Sequence, residues 1–264
     1  MAEAQTRAVA DNLLRAMQFF GRARKGGNIR NHAGVCVVSC GLNYAAFNAA
    51  VLSEPVGADA RELTNRIEIP SSYFSPQNLR WTYWLCDDYL EKPLRRDART
   101  IFHRCGLRPL TEAPGMYAEH LARPSRILPD IDVRPVADPA TRTAFAWITS
   151  VAFDIPHAIC TAIYDGESAW TNDFLGYVGY FHGQPVTTTA IVESRDVMGV
   201  YSVGTLPDYR RSGFAEAIMR KVLEESHRRT GVECTVLQST AAGLRLYERM
   251  GYRRITNFNV YITA

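Results

Sequence analysis

One passage limits the fold of this chain more than any other. Val197 to Val203 reads as an apolar strand, followed by a donor-rich loop and then a long helix from Gly213 to Arg229. Ala215, Ile218, Met219, Val222 and Leu223 form the apolar stripe of that helix. Glu233 to Leu237 is the next short apolar strand. Strand, helix and strand joined this closely predict a right-handed parallel crossover. Upstream, Ile131 to Val136, Leu175 to Phe181 and Pro185 to Glu193 read as strands, and the last three strands before the crossover helix, joined by short turns, should be antiparallel. Helices are predicted over Pro139 to Phe153, with a break and restart around Pro156, and over Thr240 to Met250, where Gly251 stops the helix. Arg254 to Ile262 supplies a final strand. The fold class that follows is α/β (α+β), with a central mixed antiparallel/parallel sheet flanked by helices.

The length of 264 residues suits two domains of about 130 residues each. The stretch Arg123-Pro124-Ser125-Arg126-Ile127-Leu128-Pro129-Asp130 interrupts every periodicity, and its two prolines disfavour helix and central strand. We therefore expect domains over 1–122 and 131–264 with a linker over 123–130. The halves echo each other. Ile101-Phe102-His103-Arg104-Cys105-Gly106-Leu107 and Leu246-Tyr247-Glu248-Arg249-Met250-Gly251-Tyr252 both read as helix, glycine stop, apolar residue and strand, and each follows an apolar strand. A tandem repeat of one fold is expected.

A net charge of +3 is too small to point to nucleic acid. No apolar run approaches the ~20 residues that span a bilayer, and no signal-peptide layout opens the chain, so no membrane partner and a cytoplasmic location are expected. The six cysteines form no C-x-x-C pair, and no metal is expected.

The loop before the long helix, Leu206-Pro207-Asp208-Tyr209-Arg210-Arg211-Ser212-Gly213-Phe214-Ala215, carries chemistry. The first turn of a helix has unpaired backbone N–H groups and the positive end of the macrodipole. Gly213 and Ala215 are small enough for a phosphate to approach the backbone, and Arg210 and Arg211 add charge. No G-K-[ST] follows, and the three glycines of a dinucleotide fingerprint are missing. From the residues alone this is an anion-binding turn.

Arg210-x-x-Gly213-x-Ala215 matches the [QR]-x-x-G-x-[GA] pattern of the GCN5-related N-acetyltransferase (GNAT) family, and Leu246-Tyr247-Glu248-Arg249-Met250-Gly251-Tyr252 resembles its late helix. The resemblance covers about residues 131–264, with the predicted elements in the family's order. It implies acetyl-CoA as acyl donor, bound by Arg210, Arg211, Ser212, Gly213, Phe214 and Ala215. The backbone at Val203, Gly204 and Thr205 would hold the pantetheine arm and thioester oxygen. Thr240, where relatives often carry asparagine, would cap the late helix. The first half lacks the turn between Pro55 and Arg66, and Phe102 stands in place of the tyrosine, so it is expected to be a degenerate, non-catalytic copy.

The resemblance further implies direct attack of an amine on the thioester. Tyr247 is the expected acid for the departing thiolate and Glu193 the candidate base, with Asp154, Asp165 and Asp196 behind it. The fourth strand departs from the family here, offering Gly199, Val200, Tyr201 and Ser202 in place of an acidic residue. The expected acceptor is a primary amine of a small molecule, shaped by the loop from Phe153 to Asn172 and by the first half. The expected assembly is a monomer with an internal pseudodimer, or a homodimer. Two alternatives stay open: a longer acyl donor or hydroxyl acceptor, and an acyl-CoA-binding regulatory module without turnover.

Overall fold

A computed structural model describes residues 2–170 and 174–263. In chain order the elements are α1 (Ala2–Arg22), β1 (Asn28–His32), β2 (Val35–Ser39), β3 (Ala49–Leu52), α2 (Ala60–Phe74), β4 (Thr82–Cys86), α3 (Lys92–Arg104) and β5 (Leu107–Ala118). They continue as β6 (Asp132–Pro135), α4 (Pro139–Phe153), α5 (His157–Tyr164), β7 (Leu175–Phe181), β8 (Gln184–Glu193), β9 (Met198–Thr205), α6 (Phe214–Thr230), β10 (Thr235–Gln238), α7 (Leu244–Arg249) and β11 (Arg253–Thr263). The α/β fold expected from the sequence is the one observed, a mixed parallel and antiparallel sheet flanked by helices.

The chain forms two compact units. Unit 1 comprises residues 1–116, 238–241 and 254–264. β1, β2 and β3 are antiparallel neighbours, and β3 pairs parallel with β4 by way of α2. β11 closes on β4 in antiparallel register, Phe258 opposite Cys86. All five residues of β2 are buried, because α1 and α2 both pack on it. α1 turns Val9, Leu13 and Met17 inward at helical spacing. Phe102 lies fully buried in this core, stacked on Tyr261 with ring centroids 3.9 Å apart and edge-on to Tyr83.

Unit 2 comprises residues 117–237 and 242–253. Its strands run in the order β6-β7-β8-β9-β10. The first three pairings are antiparallel, and β9 and β10 are parallel, Met198 opposite Thr235, with α6 as the crossover. α4 opens with a capping box, Asp138 accepting from the Thr141 N–H at 2.8 Å, and ends at Asp154 in the left-handed region. α5 restarts after Pro156, as the sequence predicts.

Three differences from the sequence reading matter. The final strand, placed by sequence with residues 131–264, belongs to unit 1 from Arg254 onward. Residues 123–130, read as a linker, are part of unit 2, where Asp130 meets Lys221 at 2.8 Å and Arg126 donates to the carbonyl of Arg211 at 3.0 Å. α7 begins at Leu244, not Thr240, with Gly243 as its N-cap and no side-chain cap. Gly243 is required there because a Cβ would stand 2.7 Å from the Tyr247 ring.

Candidate functional site

The crossover of unit 2 builds the site. β9 does not run straight. Its pairing with β8 shifts between Thr188 and Ala190, and Ser202 adopts φ 49°, outside the range that non-glycine residues favour. Three successive threonines of β8 reach across this bulge. Thr187 donates to the Gly204 carbonyl at 2.7 Å, Thr188 to that of Ser202 at 2.9 Å, and Thr189 to that of Tyr201 at 3.5 Å. Tyr164, buried on α5, hydrogen-bonds the Ser202 side chain.

Beyond Thr205 the chain makes one turn of 3-10 helix over Pro207–Tyr209 and enters the arginine turn. Arg210 folds back on the turn, its Nε donating to the Thr205 carbonyl at 3.0 Å and its Nη2 to that of Ala152 at 3.2 Å. Arg211 sits at φ 62° and Gly213 at φ 96°. A side chain on Gly213 would be strained, and its Cβ would press on Pro129, Leu128 and Arg126 at 3.1–3.3 Å. Gly213 is the N-cap of α6 and places no side chain over the helix end. The first-turn N–H groups therefore keep their donor capacity.

That end opens on a cavity of about 530 Å³. One wall is the turn, from Arg210 through Gly213 to Ala215, with Thr205 behind it. The other is α7, through Ala242, Arg245, Leu246 and Arg249, with Arg126 at the margin. Among the described residues, the side chains of Arg211, Arg245 and Arg249 make no hydrogen bond or ion pair within the protein. The single carboxylate on the lining, Glu216, is buried and tied to Arg220 at 2.8 Å. The cavity therefore presents free guanidinium groups and backbone N–H groups, the donor set a pyrophosphate requires.

Tyr247 lies on α7 one residue beyond Leu246 and is 9% exposed. Its ring meets Tyr252 edge-on at 6.0 Å. Burial pushes its phenol up to about 12. Its hydroxyl makes no hydrogen bond to another described residue.

The predicted residues divide accordingly. Thr205 and residues 210, 211 and 213–215 line the cavity, with Val203 and Gly204 on the strand leading to it and Ser212 within the turn. Thr240 falls with residues 238–241 in unit 1, three residues ahead of Gly243, the N-cap of α7. Glu193 is set apart. It ends β8 opposite Met198, six residues from Thr187, which lies opposite Thr205; at ~3.3 Å per residue that is roughly 20 Å along the strand. Its carboxylate is held by Arg229 at the end of α6. Asp154, Asp165 and Asp196 lie at the end of α4, after α5 and in the β8–β9 turn, and none lines the cavity. Thr171 and Asn172, in the loop expected to shape the acceptor, lie outside the described residues.

Sequence reasoning missed Arg126, Arg245 and Arg249. The four-residue spacing of Arg245 and Arg249, flanking Leu246, was the available signal.

Comparison with known proteins decides what kind of crossover this is. Residues 122–252 match the model of the acetyltransferase (GNAT) family. This segment is a GNAT family domain. No curated protein sequence matches the chain. Among solved structures, the chain is similar to a GCN5-related N-acetyltransferase from Kribbella flavida, with TM-score 0.69 and 17% identity over 96% of this chain and 95% of that one. A functionally unknown conserved protein from Staphylococcus epidermidis aligns with TM-score 0.62 and 13% identity, over 90% of this chain and 94% of that one. A GCN5-related N-acetyltransferase from Sphaerobacter thermophilus aligns with TM-score 0.56 and 17% identity, over 88% and 80% respectively. These likenesses establish the fold. In the GNAT domain the bulged β9 and the arginine turn are consecutive parts of the crossover, while Tyr247 stands beyond β10 on α7, outside the residues that line the cavity.

Proposed function

We propose that the GNAT domain transfers an acetyl group from acetyl-CoA to the primary amine of a small molecule by direct attack. The observation that carries this reading is the uncapped start of α6, opening on a cavity of about 530 Å³ lined by free arginines. Phosphate oxygens of the donor would be received by the N–H groups after Gly213 and by Arg211, Arg245 and Arg249. Arg210 takes a different part, holding the turn in shape through Thr205 and Ala152. The pantetheine arm would follow β9 past Val203, Gly204 and Thr205.

In the reaction the amine nitrogen forms a bond to the thioester carbonyl carbon, and the carbon–sulfur bond then breaks with its electrons on sulfur. The amine's proton leaves nitrogen and ends on the sulfur or in solvent. Tyr247, protonated well above neutral pH, donates a hydrogen bond to the developing thiolate and relays a proton to it. Backbone donors at the β9 bulge stabilise the oxyanion. Glu193 has no part in this scheme, because Arg229 neutralises it at the far end of β8. With no free carboxylate or imidazole on the described lining, the amine arrives as its neutral fraction or loses its proton to water.

Unit 1 we read as a non-catalytic copy. It repeats the β-β-β-α-β order with a parallel crossover, but the start of α2 is closed by its own carboxylates. Asp59 accepts from the Arg61 N–H at 2.8 Å, and Glu62 accepts from Gly57 at 3.1 Å. Phe102, at the position of the tyrosine, is a packed core residue. All six cysteines are free thiols, which supports a cytoplasmic setting. Among the described residues no helix is long and apolar enough to cross a membrane.

The test is free-thiol release from acetyl-CoA across an amine panel, alongside calorimetric binding of coenzyme A. Thiol release with an amine, and none with alcohols, is the expected result. Tight binding with no release from any acceptor would replace this reading with that of an acyl-CoA-binding regulatory module.

A further inference from the structure

Unit 1 contains a cavity of about 370 Å³, within the size range of small-molecule sites. It lies where the chain leaves the two parallel strands of that unit. Ser53, Glu54 and Pro55 follow β3, and Asp88 and Tyr89 follow β4. In open α/β sheets ligands bind outside the carboxyl ends of such strands. The first turns of α1 and the side chain of Ile255 complete the wall.

Its chemistry is the reverse of the arginine-lined cavity. The charged groups on the lining are Glu3, Glu54, Asp88 and Arg7. Asp88 is paired with Arg95 at 2.9 Å and Arg7 with Asp11 at 3.6 Å. Glu3 and Glu54 are left with no cation partner among the described residues. Three residues of the lining carry hydroxyls, Thr6, Ser53 and Tyr89. Thr6 and Tyr89 are each 7% exposed, both line the cavity, and among the described residues neither hydroxyl has a hydrogen-bond partner. Both residues are nine-tenths buried, yet their hydroxyl oxygens are not sealed in the core, so they are open to a group in the cavity. Burial and the nearby Asp11 carboxylate keep the Tyr89 phenol neutral, so its oxygen is available as an acceptor.

We propose that this cavity binds a small organic cation carrying a primary ammonium group. The three N–H donors of the ammonium would be met by the hydroxyl oxygens of Thr6 and Tyr89 and by the Glu54 carboxylate. The Tyr89 ring, Pro55 and Ile255 would cover an alkyl stem. Phosphate is excluded both by the unpaired carboxylates and by the closed start of α2. The proposal does not depend on the reaction assigned to unit 2.

The test is calorimetric titration of the full chain with 1,5-diaminopentane and with glutarate, which has similar length and opposite charge. Diaminopentane should bind, and glutarate should not. Glu54→Gln should weaken diaminopentane about tenfold, and Tyr89→Phe and Thr6→Val several-fold each. Thermal unfolding of each variant shows whether it still folds, and coenzyme A affinity should stay unchanged throughout. Diaminopentane affinity that survives the Glu3→Gln, Glu54→Gln double variant, or equal binding of glutarate, overturns the proposal. So does absence of binding to the unaltered chain up to about 10 mM, tenfold weaker than a millimolar dissociation constant.

Discussion

The hydroxyl of Thr188 donates to the carbonyl oxygen of Ser202 across 2.9 Å, at the point where Ser202 is held at φ 49°. A positive φ costs a non-glycine residue about 1–2 kcal/mol, so the bulge persists because neighbours over-determine it. Thr187 and Thr189 make the equivalent bonds on either side, and Tyr164 reaches the Ser202 side chain from α5. In the proposed reaction this strand carries the donors that face the acyl group.

Thr188→Val keeps the shape of the side chain and removes its donor. We expect kcat to fall about tenfold, less than the 10²–10³-fold for direct loss of an oxyanion donor, with coenzyme A affinity within about twofold of the parent. Thr188→Ser, which restores the hydroxyl, should recover most of the rate. A uniform loss of stability and affinity in both variants would mean that the threonine is merely structural.

Gly213 makes a separate prediction. At φ 96°, with Pro129 and Leu128 bordering the space a Cβ would take, an alanine should destabilise the chain by about 1–2 kcal/mol. It should also weaken coenzyme A about tenfold by shifting the start of α6. Arg211→Ala, Arg245→Ala and Arg249→Ala should each weaken coenzyme A with little effect on folding. Part of that loss should vanish at high salt, where exposed charge is screened. Calorimetry at low and high ionic strength measures both parts; salt-independent affinity in the parent would remove the arginines from the site.

How legible these features were depended on how local they are. α4 and β7 were read residue for residue, since the periodicity of a helix and an apolar strand run are written in adjacent positions. The arginine turn was equally plain. The partner of β11 was not, because alternation along a strand fixes its faces and says nothing about which strand it joins. The partner of Glu193 was hidden for the same kind of reason: Arg229, which holds it, lies 36 residues away. The threonine contacts across the bulge depend on register between β8 and β9, and Gly213 is needed for its backbone angle and for residues 126–129, which the sequence showed as a linker.

Alkaline stability follows from three buried thiols. Burial raises Cys36, Cys86 and Cys160 to about 11 from an ordinary 9.0, and each is fully shielded from solvent. A raised folded-state value means the folded chain holds the proton more tightly than the unfolded one. The resulting stabilisation is complete below pH 9 and is lost as pH rises through 11. Each thiol corresponds to about 2–3 kcal/mol of pH-dependent stability, so urea unfolding should show a steep loss between pH 9 and 11. Replacing all three by alanine should lower stability at pH 8 through the cavities left behind and flatten the slope above pH 9. An unchanged slope would assign the loss to other groups.

Tyr247 gives the decisive test of the chemistry. Its phenol, pushed to about 12, stays protonated wherever the chain is folded, so it adds no limb to the pH profile of the parent below pH 9. An alkylamine acceptor has a value near 10.4, and with Glu193 engaged by Arg229 no free carboxylate of the described residues lines the cavity to deprotonate it. The rate at low amine concentration should therefore climb about tenfold per pH unit between 6.5 and 9, tracking the neutral amine. Tyr247→Phe should lower kcat about a hundredfold, in the lower range for loss of a general acid, while leaving that slope and the affinity for coenzyme A unchanged. A pH plateau below 8 in the parent would show that a base other than water is at work. An undiminished kcat in Tyr247→Phe would remove the phenol from the reaction, leaving sulfur to depart as a thiolate with no side-chain acid.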